Sequence, residues 1–221
     1  MRFALLQALV AFGDSVTVGA RRDGSVTPEQ TFAALLERSL STRVINAGIG
    51  GNTTGQMLAR IDKDVLAHKP SAVLIMAGLN DAAFVDPGPV ARTWPRVSLE
   101  RYEANLREIV SRVRQAGATP VMLTPNPMTS RYPYANLGTY RGSDINHALS
   151  SYAAAAAGVA RETESCLVDV YGAWRSGQDY EELLPDGVHP NAGGHARIAR
   201  QIVESCGNTI RQSSRPGPSP R

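Results

Sequence analysis

Five candidate strands of four to six residues alternate along the chain with segments whose apolar residues recur at helical spacing, and no other feature narrows the fold as far. Two parallel strands cannot be joined by a tight turn. They need a long crossover, usually a helix, so this alternation implies βαβ units around a parallel sheet. The strands are Leu9–Phe12, Arg43–Asn46, Ala72–Ala77, Thr119–Thr124 and Leu167–Val170. Thr27-Pro28-Glu29-Gln30, a capping box with proline at the first helical position, is expected to open the first long helix, with Phe32, Leu35, Leu36 and Leu40 facing the sheet. Met57, Leu58, Ile61, Val65 and Leu66 mark the second helix, and Leu99, Tyr102, Leu106, Ile109, Val110 and Val113 the third. Ile145, Leu149, Tyr152, Ala156 and Val159 mark the fourth. Ile198, Ala199, Ile202 and Val203 mark the last, which is expected to end at Gly207.

Hydrophobic residues make up 43% of the chain and charged residues 19%, which excludes a disordered, collagenous or coiled-coil protein. Arg, Asp, Gly or Pro interrupts every apolar stretch short of the ~18 residues that a membrane span needs. Of the 23 Lys and Arg, three (Arg211, Arg215 and Arg221) stand in 207–221 without an acid, so residues 1–206 balance at 20 against 20. Nucleic-acid binding normally needs a basic face or stripe on the fold, and three arginines spread over a Pro/Ser-rich tail do not supply one.

Cys166 and Cys206 have neither the number of a disulfide scaffold nor the C-x-x-C spacing of a redox or zinc site, and read as small, partly buried thiols. The apolar run up to Phe12 mimics a short signal peptide, but it leads into Gly13-Asp14-Ser15 with no A-x-A-like cleavage site and reads as the first strand. The expected compartment is therefore cytoplasmic by default, or secreted if a leader has been trimmed. Residues 1–206 form one expected domain, followed by an expected disordered Pro/Ser/Arg tail at 207–221. Two connections, 81–97 and 125–142, exceed the ~12–15 residues usual for structureless loops and are candidate substrate walls. The second carries Tyr132, Tyr134 and Tyr140, which either stack on substrate or pack on the loop's own prolines.

Parallel sheets place their ligand sites at the carboxyl ends of the strands. After the first strand stands Gly13-Asp14-Ser15, after the second Asn46 through Thr54, after the third Gly78-Leu79-Asn80-Asp81, and beyond the fifth Asp186-Gly187-Val188-His189-Pro190. A serine hydroxyl becomes a useful nucleophile when a base takes its proton and a third group orients that base. Ser15, His189 and Asp186 supply those types, and their spacing lets Asp186 reach Nδ1 while Nε2 faces the serine. Acyl transfer also needs donors for the developing oxyanion, here the Ser15 and Gly51 N–H groups and the Asn80 amide. Taken singly, each is a common cap, turn or Asx residue. Their joint placement at successive strand ends is what points to chemistry.

His68, His147 and His195 have no partner at metal-ligand spacing, so no metal site is expected. Gly48-Ile49-Gly50 continues to Thr53, where a dinucleotide fingerprint needs Gly or Ala, and no Walker A loop is present.

These four blocks, in this order and across nearly the whole folded chain, resemble those of the SGNH, or GDSL-type, serine hydrolases. The resemblance implies a flavodoxin-like three-layer α/β/α sandwich with a five-stranded parallel sheet. It implies Ser15 as nucleophile, His189 as base and then acid, Asp186 as its orienting partner, and Ser15, Gly51 and Asn80 as oxyanion hole, with no metal or organic cofactor. Gly50-Gly51-Asn52 stands where many members read Ser-Gly-Asp, which leaves Gly50 as a second candidate donor, although the spacing to Asn52-Thr53 favours Gly51.

The stretch Val44–Asp81 and the Tyr102 helix after it resemble carbohydrate O-acetylesterases, acetylxylan esterases among them. The implied partner is a small-molecule or carbohydrate ester. Expected substrate contacts are Asp14, Ala82, Tyr132, Tyr134, Tyr140 and Val188, with Ala82 and Ala83 leaving room for a small acyl group. The alternatives are a lysophospholipase, thioesterase or arylesterase of the same family, and a non-catalytic carbohydrate-binding module.

Overall fold

The computed structural model describes residues 8–86, 90–91, 93–137, 140, 144–177 and 179–214. In chain order the strands are β1 (Leu9–Gly13), β2 (Val44–Gly48), β3 (Ala72–Met76), β4 (Val85–Asp86), β5 (Val90–Ala91), β6 (Thr119–Leu123) and β7 (Cys166–Val168). Five of them form a parallel sheet in the order β2-β1-β3-β6-β7, while β4 and β5 pair antiparallel inside the long connection 81–97. β1 and β3 bury every residue, which is why they read as continuous rather than alternating apolar runs. Gly13 pairs with Gly48 on one side and Met76 on the other, so these three strands end level. From β1 the chain turns to one side for β2 and to the other for β3. Such a reversal opens a crevice at the carboxyl ends of the strands, where ligands bind.

Two helical layers cover the sheet and complete a three-layer α/β/α fold. On one face α2 (Phe32–Leu40) packs against α7 (Ala192–Ser213); on the other α3 (Thr54–Asp64), α4 (Leu99–Gln115) and α5 (His147–Glu162) lie side by side. Two further helices are short, α1 (Ser15–Val18) and α6 (Val170–Arg175). The α4 stripe Tyr102, Leu106, Ile109, Val110 and Val113 is buried as its spacing predicts. No helix among the described residues is long and apolar enough to cross a membrane.

Four expectations are corrected. The Thr27 capping box holds only a 3-10 turn, Pro28–Gln30; α2 starts at Phe32, because the Thr31 hydroxyl donates to Pro28 O and accepts from Ala34 N–H, a local capping pattern that breaks the turn from the helix. The last strand stops at Val168, because Asp169 accepts the Gly172 N–H and caps α6.

The last helix runs through Gly207 to Ser213, into the stretch expected to be a disordered tail. A mid-helix glycine costs ~1 kcal/mol, whereas burying one isoleucine yields roughly 1.5–3 kcal/mol. Ile210 is buried one turn beyond Cys206, so the helix continues. Residues 215–221 of that stretch lie outside the described residues. Finally, the cysteines are not free thiols: Cys166 on β7 and Cys206 on α7 stand 5.9 Å apart at Cα and form a disulfide.

Candidate active site

Asp14 caps α1, its Oδ1 accepting the Val16 N–H at 2.9 Å, and this places Ser15 half-buried at the carboxyl end of β1. The turn after a 3-10 segment at Tyr180–Leu183 brings in the other two expected residues. Asp186 Oδ1 accepts the N–H of Val188 at 3.1 Å and of His189 at 2.8 Å, an Asx-type turn that fixes the carboxylate. Its Oδ2 lies 2.8 Å from His189 Nδ1, and His189 Nε2 lies 2.9 Å from Ser15 Oγ. With Nδ1–H donating to the carboxylate, Nε2 is free to accept from the Ser15 hydroxyl. Burial pushes the Asp186 carboxyl up, but the His189 ring and the His189 and Val188 N–H groups outweigh it and hold it well below the ordinary carboxylate range. A cleft of about 260 Å³ lined by Arg21, Val26, Asp186 and His189 adjoins this turn.

The three expected oxyanion donors converge on the same edge. Gly51 has φ +76°, in the left-handed region, and an added Cβ there would meet nothing within 4 Å, so the backbone faces open space. Gly50 turns its missing side chain toward Ser15, where an added Cβ would lie 3.9 Å from the serine Cβ. Asn80, after β3, donates one Nδ2 hydrogen to Asp14 Oδ2 at 3.2 Å and retains a second.

The second long loop buttresses the Asp186–His189 turn. Thr129 N–H donates to Gly187 O at 2.9 Å, and buried Asn126 donates to Val188 O at 2.9 Å. Gly187 has φ +83°, and an added Cβ would lie 2.2 Å from Tyr132 N, so the loop backbone rests directly on this glycine. Within the loop, Tyr132 packs edge-on against both Tyr134 and Tyr140.

Not every expected substrate contact is available for that role. Asp14 is 2% exposed and spends its carboxylate on Val16 and Asn80; Ala82 is 4% exposed and closes a turn onto Gly78 O. Tyr140 is 6% exposed, its hydroxyl accepting the Phe84 N–H. Tyr132, Tyr134 and Val188 remain partly exposed beside the site. Among the described residues no group of three or more His, Cys, Asp or Glu is placed to hold a metal.

Sequence reasoning missed Arg21, whose Nη2 donates to Asp186 Oδ2 at 2.8 Å, and Arg96, which touches both Asn80 and Gly51. It also missed Arg60, which donates to Asn52 Oδ1, Ala47 O and Gly13 O and so braces the ends of β1 and β2. Asn126 was within reach, because it follows β6 at the same carboxyl edge as the other site residues.

Fold and site together define a carboxylic ester hydrolase. The chain belongs to the GDSL-like lipase/acylhydrolase family, whose model matches residues 11–197. It is 29% identical to an acetylxylan esterase of Geobacillus stearothermophilus, an alignment covering 94% of this chain and 97% of that protein. The solved structure of Axe2, an acetylxylan esterase from Geobacillus stearothermophilus, superposes with a TM-score of 0.71 at 28% identity over 94% of this chain and 97% of that one. Thioesterase 1/protease 1/lysophospholipase L1 of Escherichia coli strain K12 is 31% identical over 55% of this chain and 52% of its own length.

Proposed function

We propose that this protein is a serine esterase that removes short acyl groups, O-acetyl groups on carbohydrates above all, through a Ser15–His189–Asp186 triad. The observation that carries the mechanism is the relay of 2.9 Å from Ser15 Oγ to His189 Nε2 and 2.8 Å from His189 Nδ1 to Asp186. Ser15 Oγ attacks the ester carbonyl while His189 takes its proton. The oxyanion that forms is met by the Ser15 and Gly51 N–H groups and the second Asn80 N–H. His189 then protonates the departing alcohol, and a water activated by His189 hydrolyses the acyl-enzyme. Side chains and backbone N–H groups of the chain, with one water, suffice for every step of this sequence.

Support for an acetylated sugar comes from likeness to acetylxylan esterases along nearly the whole chain, whereas the thioesterase/lysophospholipase likeness spans about half of it. The partner in this reading is a small-molecule or carbohydrate ester, not a nucleic acid. The Cys166–Cys206 disulfide also favours an oxidising compartment over the cytoplasmic expectation.

The test compares wild type with Ser15→Ala on p-nitrophenyl acetate, C8–C16 acyl esters and acetylated xylan. Expected are acetate release by wild type and a loss of at least ~10³-fold in the variant. Preference for the long chains would replace the deacetylase by a lysophospholipase or thioesterase. Undiminished activity of Ser15→Ala would overturn the triad.

A further inference from the structure

We propose that Arg96 is the positioning residue of the oxyanion hole, one guanidinium holding Asn80 and the Gly51 carbonyl, one peptide on from the donor N–H, in place; the inference rests on the esterase reading above. Arg96 Nη1 donates to Asn80 Oδ1 and Nη2 to Gly51 O, each at 3.3 Å. These acceptors follow β3 and β2, which are separated by β1 in the sheet. A single planar fork therefore ties together two loops that share no strand pairing. The fork is itself anchored: Arg96 N–H donates to Ala83 O at 2.9 Å and Val97 N–H to Asp81 O at 3.1 Å, fixing the end of the 81–97 connection beside Asn80.

The consequence for Asn80 follows from the symmetry of an amide. Its oxygen and nitrogen ends exchange places on a half-turn of the side chain, and only the surroundings decide between them. Here Oδ1 faces the Arg96 cation and Nδ2 faces the Asp14 carboxylate. A flip would set NH₂ against guanidinium and oxygen against carboxylate, two repulsive contacts in a partly buried place. The charges thus fix Nδ2 on the serine side, with one hydrogen for Asp14 and the other for the developing oxyanion.

Gly51 needs the same help for a different reason. With left-handed φ and no neighbour to a side chain, the orientation of its peptides is set by tethers, and Arg96 supplies one at the carbonyl. The Asp81 carboxyl, which feels the Arg96 charge, spends its Oδ1 on the Thr54 N–H and hydroxyl. Lysine is not its equivalent, because a single flexible ammonium lacks the rigid planar fork that meets both acceptors at once.

Steady-state kinetics on p-nitrophenyl acetate test this with wild type, Ser15→Ala, Arg96→Ala, Arg96→Lys, Asn80→Ala and the Arg96→Ala/Asn80→Ala double variant. Arg96→Ala is expected to lose ~10–100-fold in kcat with KM nearly unchanged, since the donors it aligns act on the transition state. Arg96→Lys recovers little of this, and millimolar guanidinium restores part of the Arg96→Ala rate without raising that of wild type. In the double variant the loss is smaller than the product of the two single losses, because Arg96 works partly through Asn80.

Arg96→Gln, which can hold only one acceptor, is read by the same criteria if the alanine variant melts below the assay temperature. A kcat within twofold of wild type, a change confined to KM, or losses that simply multiply would each overturn the role of Arg96. An inactive wild type, or an active Ser15→Ala, would instead remove the esterase reading on which it rests.

Discussion

Asp14 shows how a single residue can serve the site at a cost to the fold. Burial raises its carboxyl to about 6, and Asp81 adds to this, while the Val16 N–H, His189 and Asn80 pull the other way without cancelling it. A carboxyl with a raised folded pKa contributes stability that is complete below its unfolded value of 3.8 and is lost as the pH rises through about 6. At about 1.4 kcal/mol per tenfold in proton affinity, the loss reaches about 3 kcal/mol. Asp14→Asn does not titrate, so its urea midpoint relative to wild type should climb between pH 4 and pH 7, while activity falls because Asn80 loses its anionic partner. A midpoint difference that stays flat across that range would show that Asp14 does not ionise at this cost. Asp14 also illustrates what the sequence can show of a site. Ser15, Gly51 and Asn80 were singled out because each stands in a short block at a strand end, and Asp186 and His189 because they share one compact turn, which the structure brings to Ser15. The role of Asp14 as amide partner was not legible, since it depends on Asn80, 66 residues away. Arg21 and Arg96 were invisible for the same reason: nothing local to a loop arginine says which carboxylate or carbonyl it will meet.

At the scale of elements, α7 and α2 are joined by a histidine that the proposed mechanism does not use. His195, fully buried on α7, accepts the Phe32 N–H on Nδ1 at 3.3 Å and stacks on the Phe32 ring at 6.1 Å. This contact satisfies a donor at the start of α2, and it requires an unprotonated Nδ1. Burial lowers the His195 pKa to about 4; the Gly19 backbone opposes this, and the His189 charge adds to it. The unfolded chain, with an ordinary value of 6.5, takes up its proton first as the pH falls. Stability is therefore intact above pH 6.5 and is lost on the way to pH 4, by up to about 3 kcal/mol. His195→Gln keeps an acceptor for Phe32 without a titrating ring, and its stability should fall less steeply than that of wild type over that interval. Parallel curves from urea titrations would assign the acid sensitivity elsewhere. Helix positions were readable from apolar spacing, but two of their ends were not. The start of α2 is decided by the Thr31 hydroxyl, and the end of α7 by burial of Ile210 against the rest of the molecule.

Across the whole molecule, chemistry and covalent reinforcement occupy opposite ends of the strands. Ser15, Gly51 and Asn80 follow the carboxyl ends of β1, β2 and β3, whereas Cys166 begins β7 at its amino end and bonds to Cys206 on α7. The parallel sheet was legible as a βαβ alternation, yet the pairing of two cysteines 40 residues apart was not, because their distance is set only when α7 docks beside β7. In the chain-entropy account, closing a loop of that length restrains the unfolded state by about 4 kcal/mol. Reduction should therefore lower the Tm clearly. It should leave kcat on p-nitrophenyl acetate within about twofold, because the bridge sits at the amino end of β7, opposite the carboxyl-end site, and effects at well-separated places are nearly independent. Intact-mass measurement after alkylation gives the chemical check, with no adduct before reduction and two after it. Two adducts on the unreduced protein would mean that the bridge does not form. An intact bridge whose reduction abolished activity at a temperature where the protein stays folded would mean that α7 transmits strain from Cys206 to the turn holding Asp186 and His189.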